Sequence, residues 1–286
     1  MFDIDKKLYP FSYKYYNTEY GKIHYIDEGE GEIILFVHGT PSWSFEYRHY
    51  IKNLSKKYRC IAIDHLGFGK SDKPIDFEGT PENHNQNLVN FINDLNLKNI
   101  NLVVHDFGGV IGLPYAIDNI DKINKIVIFN TWLWETKNDK EVIKIDKLIN
   151  SRLGKFLYLN LNFSPKVLLK KGFHNKSKLT KEIHQSYILP FANKNSRKHL
   201  YDIAKSLMGS SNWYESYWKK ADILNNKEII LIWGSKDEFI NEKHLVKWKS
   251  KLTTNKIHQL KCGHFVQEEC PQESLEIIEK FLESNQ

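Results

Sequence analysis

Short, continuous runs of apolar residues recur along the first half of the chain and again near its end. A strand that is buried on both faces of a sheet has this pattern, because neither face meets water. The pattern predicts strands at 33–37, 60–64, 102–105, 125–129 and 228–233, and a further strand is expected at 256–260. An opening pair of strands is expected at 11–16 and 22–27, with a glycine-containing break after the second.

Apolar residues at helical spacing fill the intervals between these strands. Thr80 followed by Pro81 is a typical helix start, because threonine caps the free amides and proline fits the first turn. Helices are expected at 45–55, 81–95, 109–119, 241–250 and 272–283. Regular alternation of strand and helix predicts an α/β fold with a mostly parallel sheet and helices on both faces.

The alternation stops between residues 132 and 217. This segment is rich in Lys, Leu, Tyr and Asn, has helical spacing and contains few β-branched runs. A helical block inserted after one strand of a parallel sheet lies over the carboxyl ends of the strands, where ligands bind. We therefore predict a core formed by residues 1–131 and 218–286, with residues 132–217 as a helical cap, or lid.

Composition and charge narrow the class of protein. The chain has 286 residues and a net charge of +6, from 41 basic and 35 acidic residues. The lysines are scattered rather than gathered in one block, so we expect no nucleic-acid partner. No apolar run approaches the ~18 residues of a membrane span, and no signal peptide is recognisable, so we expect no membrane partner. The oligomeric state stays open.

The chain contains three cysteines, Cys60, Cys262 and Cys270. Their odd number and wide spacing argue against a disulfide framework and indicate a reducing compartment, so we expect a cytoplasmic location. Because no CxxC pair is present, no metal site is expected, and we predict no cofactor.

The strand predicted at 102–105 runs directly into Asp106, Phe107, Gly108 and Gly109. A carboxylate between a strand end and a helix start meets the helix dipole and free backbone amides, which favour negative charge. The two glycines permit a tight turn and close packing of the helix. Asp106 is therefore a candidate nucleophile on a strained strand-to-helix turn. The alternative is that it only caps the helix.

Two further candidates follow the last predicted strands. His264, in a Gly-His-Phe loop, suits a general base, whereas His244 and His258 among the chain's 12 histidines lack this position. Asp237 follows an earlier strand and is a candidate to orient His264. Its neighbour Glu238 competes for that role, and Asp237 is favoured because a shorter side chain holds tighter geometry.

An aspartate nucleophile favours particular reactions. Aspartate is ionised at neutral pH, so it can displace a leaving group from saturated carbon and form an ester with its own side chain. His264 would then activate a water molecule that hydrolyses the ester. Cleavage of a carbon–halogen bond and opening of an epoxide fit these steps better than simple ester hydrolysis does.

Four segments resemble the haloalkane dehalogenase and epoxide hydrolase group of α/β-hydrolases. They are HGTPSWSFEYR (38–48), DHLGFGKSDKP (64–74), VHDFGG (104–109) and GHFVQEE (263–269). The resemblance covers nearly the whole chain outside the lid. It implies an α/β-hydrolase fold with Asp106 as nucleophile, His264 as base and Asp237 as third member of a triad. It also implies an oxyanion hole formed by the backbone amides of Thr40 and Phe107.

The chain differs from this group at the positions that bind the released halide. The residue after the nucleophile is usually a tryptophan with an indole N–H, and here it is Phe107, which has no such donor. The Asn that often follows the His-Gly pair is replaced by Thr40. Other donors or pocket residues are therefore required. The candidates are Trp132, Trp134, Trp213, Tyr214 and Asn130, and the alternative role of the aromatic ones is core packing.

The sequence thus predicts a haloalkane dehalogenase-like hydrolase acting on a small apolar substrate with water. An epoxide hydrolase, or a related hydrolase of a strained ring or an ester, is the alternative. An epoxide hydrolase would use tyrosine hydroxyls of the lid, which contains Tyr158, Tyr187, Tyr201, Tyr214 and Tyr217. A small-molecule receptor built on the hydrolase fold is the non-enzymatic alternative.

Overall fold

The structure, a computed structural model, describes residues 2–284. Its strands are β1 Lys14–Thr18, β2 Gly21–Glu28, β3 Ile33–Val37, β4 Arg59–Ile63, β5 Ile100–Val104, β6 Ile123–Phe129, β7 Glu228–Gly234 and β8 Ile257–Leu260. They form one sheet in the order β1-β2-β4-β3-β5-β6-β7-β8. β2 pairs antiparallel with β1 and with β4, and the other neighbours are parallel. The predicted mostly parallel sheet is confirmed.

The sheet separates two apolar layers, because side chains along a strand alternate between its faces. In β3, Leu35 and Val37 join one buried cluster, whereas Ile34 and Phe36 join the other. Both faces of the central strands are therefore covered, which is the physical reason for their continuous apolar sequences.

Helices cover both layers. They are α1 Arg48–Leu54, α2 Pro81–Asp94, α3 Phe107–Asp118, α4 Lys140–Ile149, α5 Arg152–Leu161, α6 Leu169–Gly172, α7 Lys181–Ile188, α8 Lys194–Gly209, α9 Ser211–Trp218, α10 Glu242–Lys251, α11 Val266–Glu269 and α12 Pro271–Glu283. α2 begins as expected, with the Thr80 hydroxyl accepting a hydrogen bond from the Asn83 amide. α3 is buried along almost its whole length because it packs on β5, α2 and α9 at once.

Helices α4–α9 lie between β6 and β7. By contrast, one α-helix joins the parallel strands β3 and β4, β5 and β6, and β7 and β8. We call residues 130–227 the inserted segment. A π-helical turn at Ser164–Leu168 joins α5 to α6. In the part of the chain that the structure describes, no helix combines the length and the apolar character needed to cross a bilayer.

Candidate active site

Asp106 lies at the turn from β5 into α3. Its backbone angles are φ 52° and ψ −129°, a conformation that a residue other than glycine adopts only when its surroundings hold it. The loop after β6 supplies that hold. The Asp106 amide donates to the Asn130 carbonyl at 2.9 Å, and the Thr131 hydroxyl donates to the Asp106 carbonyl at 2.5 Å. The carboxylate is therefore fixed at the carboxyl end of the sheet.

Two glycines leave room for this turn. A Cβ at Gly108 would meet the Val37 carbonyl oxygen at 2.0 Å, and one at Gly39 would meet Asp106 Oδ1 at 2.3 Å. The loop after β3 can therefore approach the carboxylate closely, and the Thr40 amide donates to Asp106 Oδ1 at 2.7 Å. The next amide after Asp106 belongs to the first residue of α3, which has no acceptor within the helix. Of the two amides expected in an oxyanion hole, that of Thr40 thus contacts the carboxylate, and that of Phe107 follows Asp106 directly in the chain.

His264 and Asp237 complete a chain of contacts to Asp106. His264 Nδ1 lies 2.7 Å from Asp237 Oδ2, and His264 Nε2 lies 3.4 Å from Asp106 Oδ2. All three side chains are buried. The two carboxylates face opposite nitrogens of one imidazole, which is the arrangement of a nucleophile, a base and an orienting acid.

In this chain of contacts, burial and the neighbouring charges shift the pKa values in opposite directions. Burial disfavours the imidazolium, but the attraction of Asp237 and the contacts with Asp106 outweigh it and raise the pKa of His264 to about 10. Burial also disfavours both carboxylates, yet their interactions with His264 hold the pKa of Asp106 and of Asp237 below the ordinary value. The two carboxylates therefore favour the imidazolium form of His264 in the resting site.

Asp237 is fixed by four donors. Its Oδ1 accepts from the amides of Phe239 and Ile240 at 2.7 and 3.1 Å. Its Oδ2 accepts from His264 at 2.7 Å and from the side-chain amide of Asn130 at 2.9 Å. A carboxylate with this many donors stays ionised and keeps one orientation, so it can hold the imidazole ring in place.

A cavity of about 480 Å³ borders Asp106 and His264, within the usual range for small-molecule sites. Its wall also includes Phe107 and two of the predicted pocket residues, Trp132 and Trp134. The inserted segment supplies most of the remaining wall, and more of these residues are apolar than polar. Among residues 2–284, no group of three or more His, Cys, Asp or Glu side chains is arranged to hold a metal ion.

Two polar residues close to Asp237, Glu238 and Asn130, differ in how deeply their side chains are buried. Glu238, the competitor of Asp237, has a side chain that is 66% exposed and pairs with Lys171 at 3.7 Å. Asn130 was a candidate donor to the leaving group, and the structure places its side chain elsewhere. Its side chain is fully buried, donates to Asp237 and to the Gly234 carbonyl, and is not part of the cavity wall among the described residues. Asn130 therefore acts on the acid rather than on a substrate.

The structure does not bring Trp213 and Tyr214, two further predicted pocket residues, into the cavity wall that the described residues form. The Tyr214 hydroxyl donates to the Ser206 carbonyl at 2.8 Å, and its ring packs against Trp132 with centroids 6.0 Å apart. Trp213 packs on Tyr214 and Tyr217. α9 therefore supports the wall from behind instead of facing the cavity.

A second histidine, His105, supports the base. Its Nε2 donates to the His264 carbonyl at 3.0 Å, and its Nδ1 lies 2.6 Å from Glu46 Oε1. Both side chains are fully buried, and the proximity of His105 contributes, after that of His264, to the lowered pKa of Asp106. Sequence reasoning missed this pair, and the only signal for Glu46 was its place within the motif at 38–48.

Glu269 ties the loop of His264 to the inserted segment. Its carboxylate accepts from the amides of Gly263, His174 and Asn175 at 2.8, 3.1 and 2.7 Å. In addition, the His264 amide donates to a carbonyl at the end of α6 at 2.7 Å. Core and inserted segment thus hold the histidine together, a contact that no sequence pattern indicated.

The sheet order, the carboxylate on the turn into α3 and the histidine after β8 define an enzyme fold of the α/β-hydrolase class. Consistent with this, residues 32–271 match the family model described as the alpha/beta hydrolase fold.

Haloalkane dehalogenase 2 of Mycobacterium tuberculosis is 30% identical over 98% of this chain and 98% of its own length. The cis-3-alkyl-4-alkyloxetan-2-one decarboxylase of Shewanella oneidensis is 32% identical over 96% of this chain and 89% of its own length. A crystal structure of a mutant of haloalkane dehalogenase DatA from Agrobacterium tumefaciens superposes with a TM-score of 0.85 at 25% identity, covering 96% of this chain and 97% of that one. The chain therefore belongs to the haloalkane dehalogenase group of the α/β-hydrolase family and is an enzyme of hydrolase type, which confirms the predicted family and fold.

Proposed function

We propose that this enzyme cleaves a carbon–halogen bond of a small apolar substrate through a covalent ester on Asp106. One observation carries the proposal: the two oxygens of the Asp106 carboxylate have different partners beside an apolar cavity. Oδ1 accepts the Thr40 amide at 2.7 Å, whereas Oδ2 faces His264 Nε2 at 3.4 Å. Because the oxygens differ, each has its own role in the reaction.

Oδ2 is the attacking oxygen. It forms a bond to the substrate carbon while the carbon–halogen electron pair leaves with the halide, and Oδ1 becomes the ester carbonyl oxygen. Esterification removes the charge that holds the proton on His264, so the imidazole loses that proton to solvent and can accept one from water. The water oxygen attacks the ester carbon, and the amides of Thr40 and Phe107 stabilise the negative charge that develops on Oδ1. The alcohol then leaves with the proton from His264.

Trp132 is our candidate for holding the halide. Its indole N–H is buried and lacks a hydrogen-bond partner among the described residues. Its ring packs edge-on against Phe107, with centroids 4.8 Å apart, and lines the same cavity as Asp106. A buried unpaired donor is costly unless a ligand satisfies it. Trp132 therefore supplies the kind of donor that the side chain of Phe107 lacks.

A four-membered lactone is the second candidate substrate, favoured by Phe107 and by similarity to the Shewanella oxetanone decarboxylase. Opening such a ring leaves the carboxylate attached to the substrate, so no separate halide donor is needed. Asp106 would attack ring carbon 4 and break its bond to the ring oxygen. Loss of carbon dioxide would then form the carbon–carbon double bond and release Asp106 without water.

An epoxide substrate is less well supported. Epoxide opening needs tyrosine hydroxyls directed at the substrate, and the hydroxyls of Tyr187, Tyr214 and Tyr217 donate to other groups of the protein. Of the five tyrosines considered, Tyr158 belongs to the cavity wall that the described residues form. A single such side chain gives little basis for this alternative.

The test is to trap the ester. His264→Gln is incubated with a 1-bromoalkane, and we expect intact mass to increase by the alkyl group, with peptide mapping to Asp106. Wild type should release bromide, and Asp106→Ala should neither release bromide nor gain mass. Bromide release by Asp106→Ala, or the absence of an adduct on His264→Gln, would contradict the mechanism.

The substrate class is decided by a parallel incubation with a cis-dialkyl oxetan-2-one. Carbon dioxide and alkene formation without bromide release from haloalkanes would favour the lactone. Thermal stabilisation by both compounds without turnover would favour a receptor instead of an enzyme.

A further inference from the structure

The outer surface of α4, α5 and the turn after them is unusually apolar. Residues 2–284 include 12 large hydrophobic side chains that are at least one-third exposed. Six of these 12 lie between residues 145 and 167, and each of the six is 45% to 58% exposed. We call these six the α4–α5 face. They are Ile145, Leu148, Leu153, Phe156, Leu161 and Val167. Ile145 and Leu148 share a face of α4, and Leu153 and Phe156 share a face of α5, by their spacing of three.

The same stretch carries the net charge of the chain. Residues 140–171 contain eight basic and two acidic side chains, a surplus equal to the +6 of the whole sequence. The remainder of the chain therefore has as many acidic as basic residues. All eight basic side chains are exposed, and among the described residues only Lys171 of this set forms an ion pair with a carboxylate.

The α4–α5 face is continuous with the cavity. Ile145 and Leu148 are exposed on the outer surface and also belong to the cavity wall that contains Asp106. Ile149 and Leu157, on the inner sides of the same two helices, continue that wall inward. An apolar molecule that enters the cavity from the α4–α5 face would thus meet apolar side chains of both helices on its way to Asp106.

Although the sequence alone led us to expect no membrane partner, we propose that the α4–α5 face docks on an anionic lipid bilayer, from which apolar substrate passes into the cavity. Exposed apolar side chains flanked by lysines are the pattern that binds at the interface of anionic membranes, and each basic side chain near such a surface strengthens the binding. A second copy of the chain fits less well, because a twofold interface would bring two surfaces of the same positive charge together. The docking does not depend on which bond Asp106 breaks.

The test uses sedimentation with vesicles of phosphatidylcholine alone or mixed with phosphatidylglycerol. We expect about tenfold tighter binding, or more, to the anionic vesicles, weakened by added salt. The double variant Leu153→Ser/Phe156→Ser should bind about tenfold more weakly and keep its activity on a water-soluble substrate. The matched control Val246→Ser, at a side chain 57% exposed on α10, should bind like wild type.

Two further variants separate the explanations. Lys147→Glu/Lys155→Glu should abolish the preference for anionic vesicles, and Asp106→Asn should bind vesicles like wild type even if the proposed chemistry fails. Equal binding to both vesicle types, or equal loss in Val246→Ser, would overturn the proposal. A dimer in sedimentation velocity that disappears in Leu153→Ser/Phe156→Ser would overturn it in favour of a second copy.

Discussion

Neutralising Asp106 should release the proton that His264 holds in the resting enzyme. The two groups lie 3.4 Å apart, between Asp106 Oδ2 and His264 Nε2. At an effective dielectric constant of about 20, the attraction between unit charges at that distance is on the order of 5 kcal/mol, or about a thousand-fold or more in proton affinity. Asp106→Asn removes the charge in the same way as the proposed ester does, so it isolates this effect.

The direction follows from the sign of the charge. In wild type, the pKa of His264 is raised to about 10, so rising pH removes the proton only in alkaline solution. In Asp106→Asn one of the two supporting carboxylates is lost, and the proton leaves at lower pH. The same change in the ester intermediate would make His264 a free base at neutral pH, when water must be activated.

The measurement is an NMR titration of labelled histidine rings, with His264→Gln identifying the resonance of His264. We expect the midpoint of Asp106→Asn to lie well below that of wild type. Glu238→Gln is the matched control, because Glu238 adjoins Asp237 in the chain but has an exposed side chain that pairs with Lys171, and its midpoint should equal that of wild type. The reasoning would be refuted if the two titration midpoints corresponded to proton affinities of His264 that differ by less than a factor of ten between wild type and Asp106→Asn.

Three further changes probe the surroundings of the triad. Trp132→Phe removes the unpaired indole N–H, so inhibition by bromide should weaken about tenfold, and unchanged inhibition would exclude this donor. Asn130→Ala removes a hydrogen bond to Asp237, so kcat should fall about ten- to a hundredfold with little change in KM, whereas a change confined to KM would contradict a positioning role. Glu269→Gln weakens three contacts with backbone amides, and calorimetry should show a Tm lower by about 4 to 8 °C, an effect that an unaltered Tm would disprove.

The strands and the ends of the strands could be predicted from the sequence because their physics is local. A strand buried on both faces must be apolar throughout, so a polar residue at its end stands out. This rule located Asp106 after β5 and Asp237 after β7. β8 is an only partly buried strand with polar residues inside it, and His264 was found instead from its position in a Gly-His-Phe loop after that strand. The carboxyl ends of parallel strands meet at one edge of the sheet, so these distant residues were expected to lie together.

The cavity wall was predictable only in part, because it depends on how helices of the inserted segment pack. Trp132 and Trp134 directly follow β6 and line the cavity, whereas Trp213 and Tyr214 lie on a helix whose orientation depends on its neighbours. The sequence shows that α9 is aromatic but not which neighbour its rings meet. Asn130 illustrates the same limit, since a position one residue after a strand does not reveal whether a side chain points to substrate or to Asp237.

Two parts of the inserted segment differ in how they contact the loop of His264. Near its centre, Gly172 accepts the His264 amide, and the amides of His174 and Asn175 donate to Glu269. Lifting this part away would break these contacts with the loop of His264, so we expect it to stay in place. α4 and α5 carry the exposed apolar side chains and the outer cavity wall instead. We therefore expect access to Asp106 to change by movement of α4 and α5 while His264 stays fixed. A lipid bilayer bound to the α4–α5 face would contact these two helices, which can move without disturbing Asp106, His264 and Asp237.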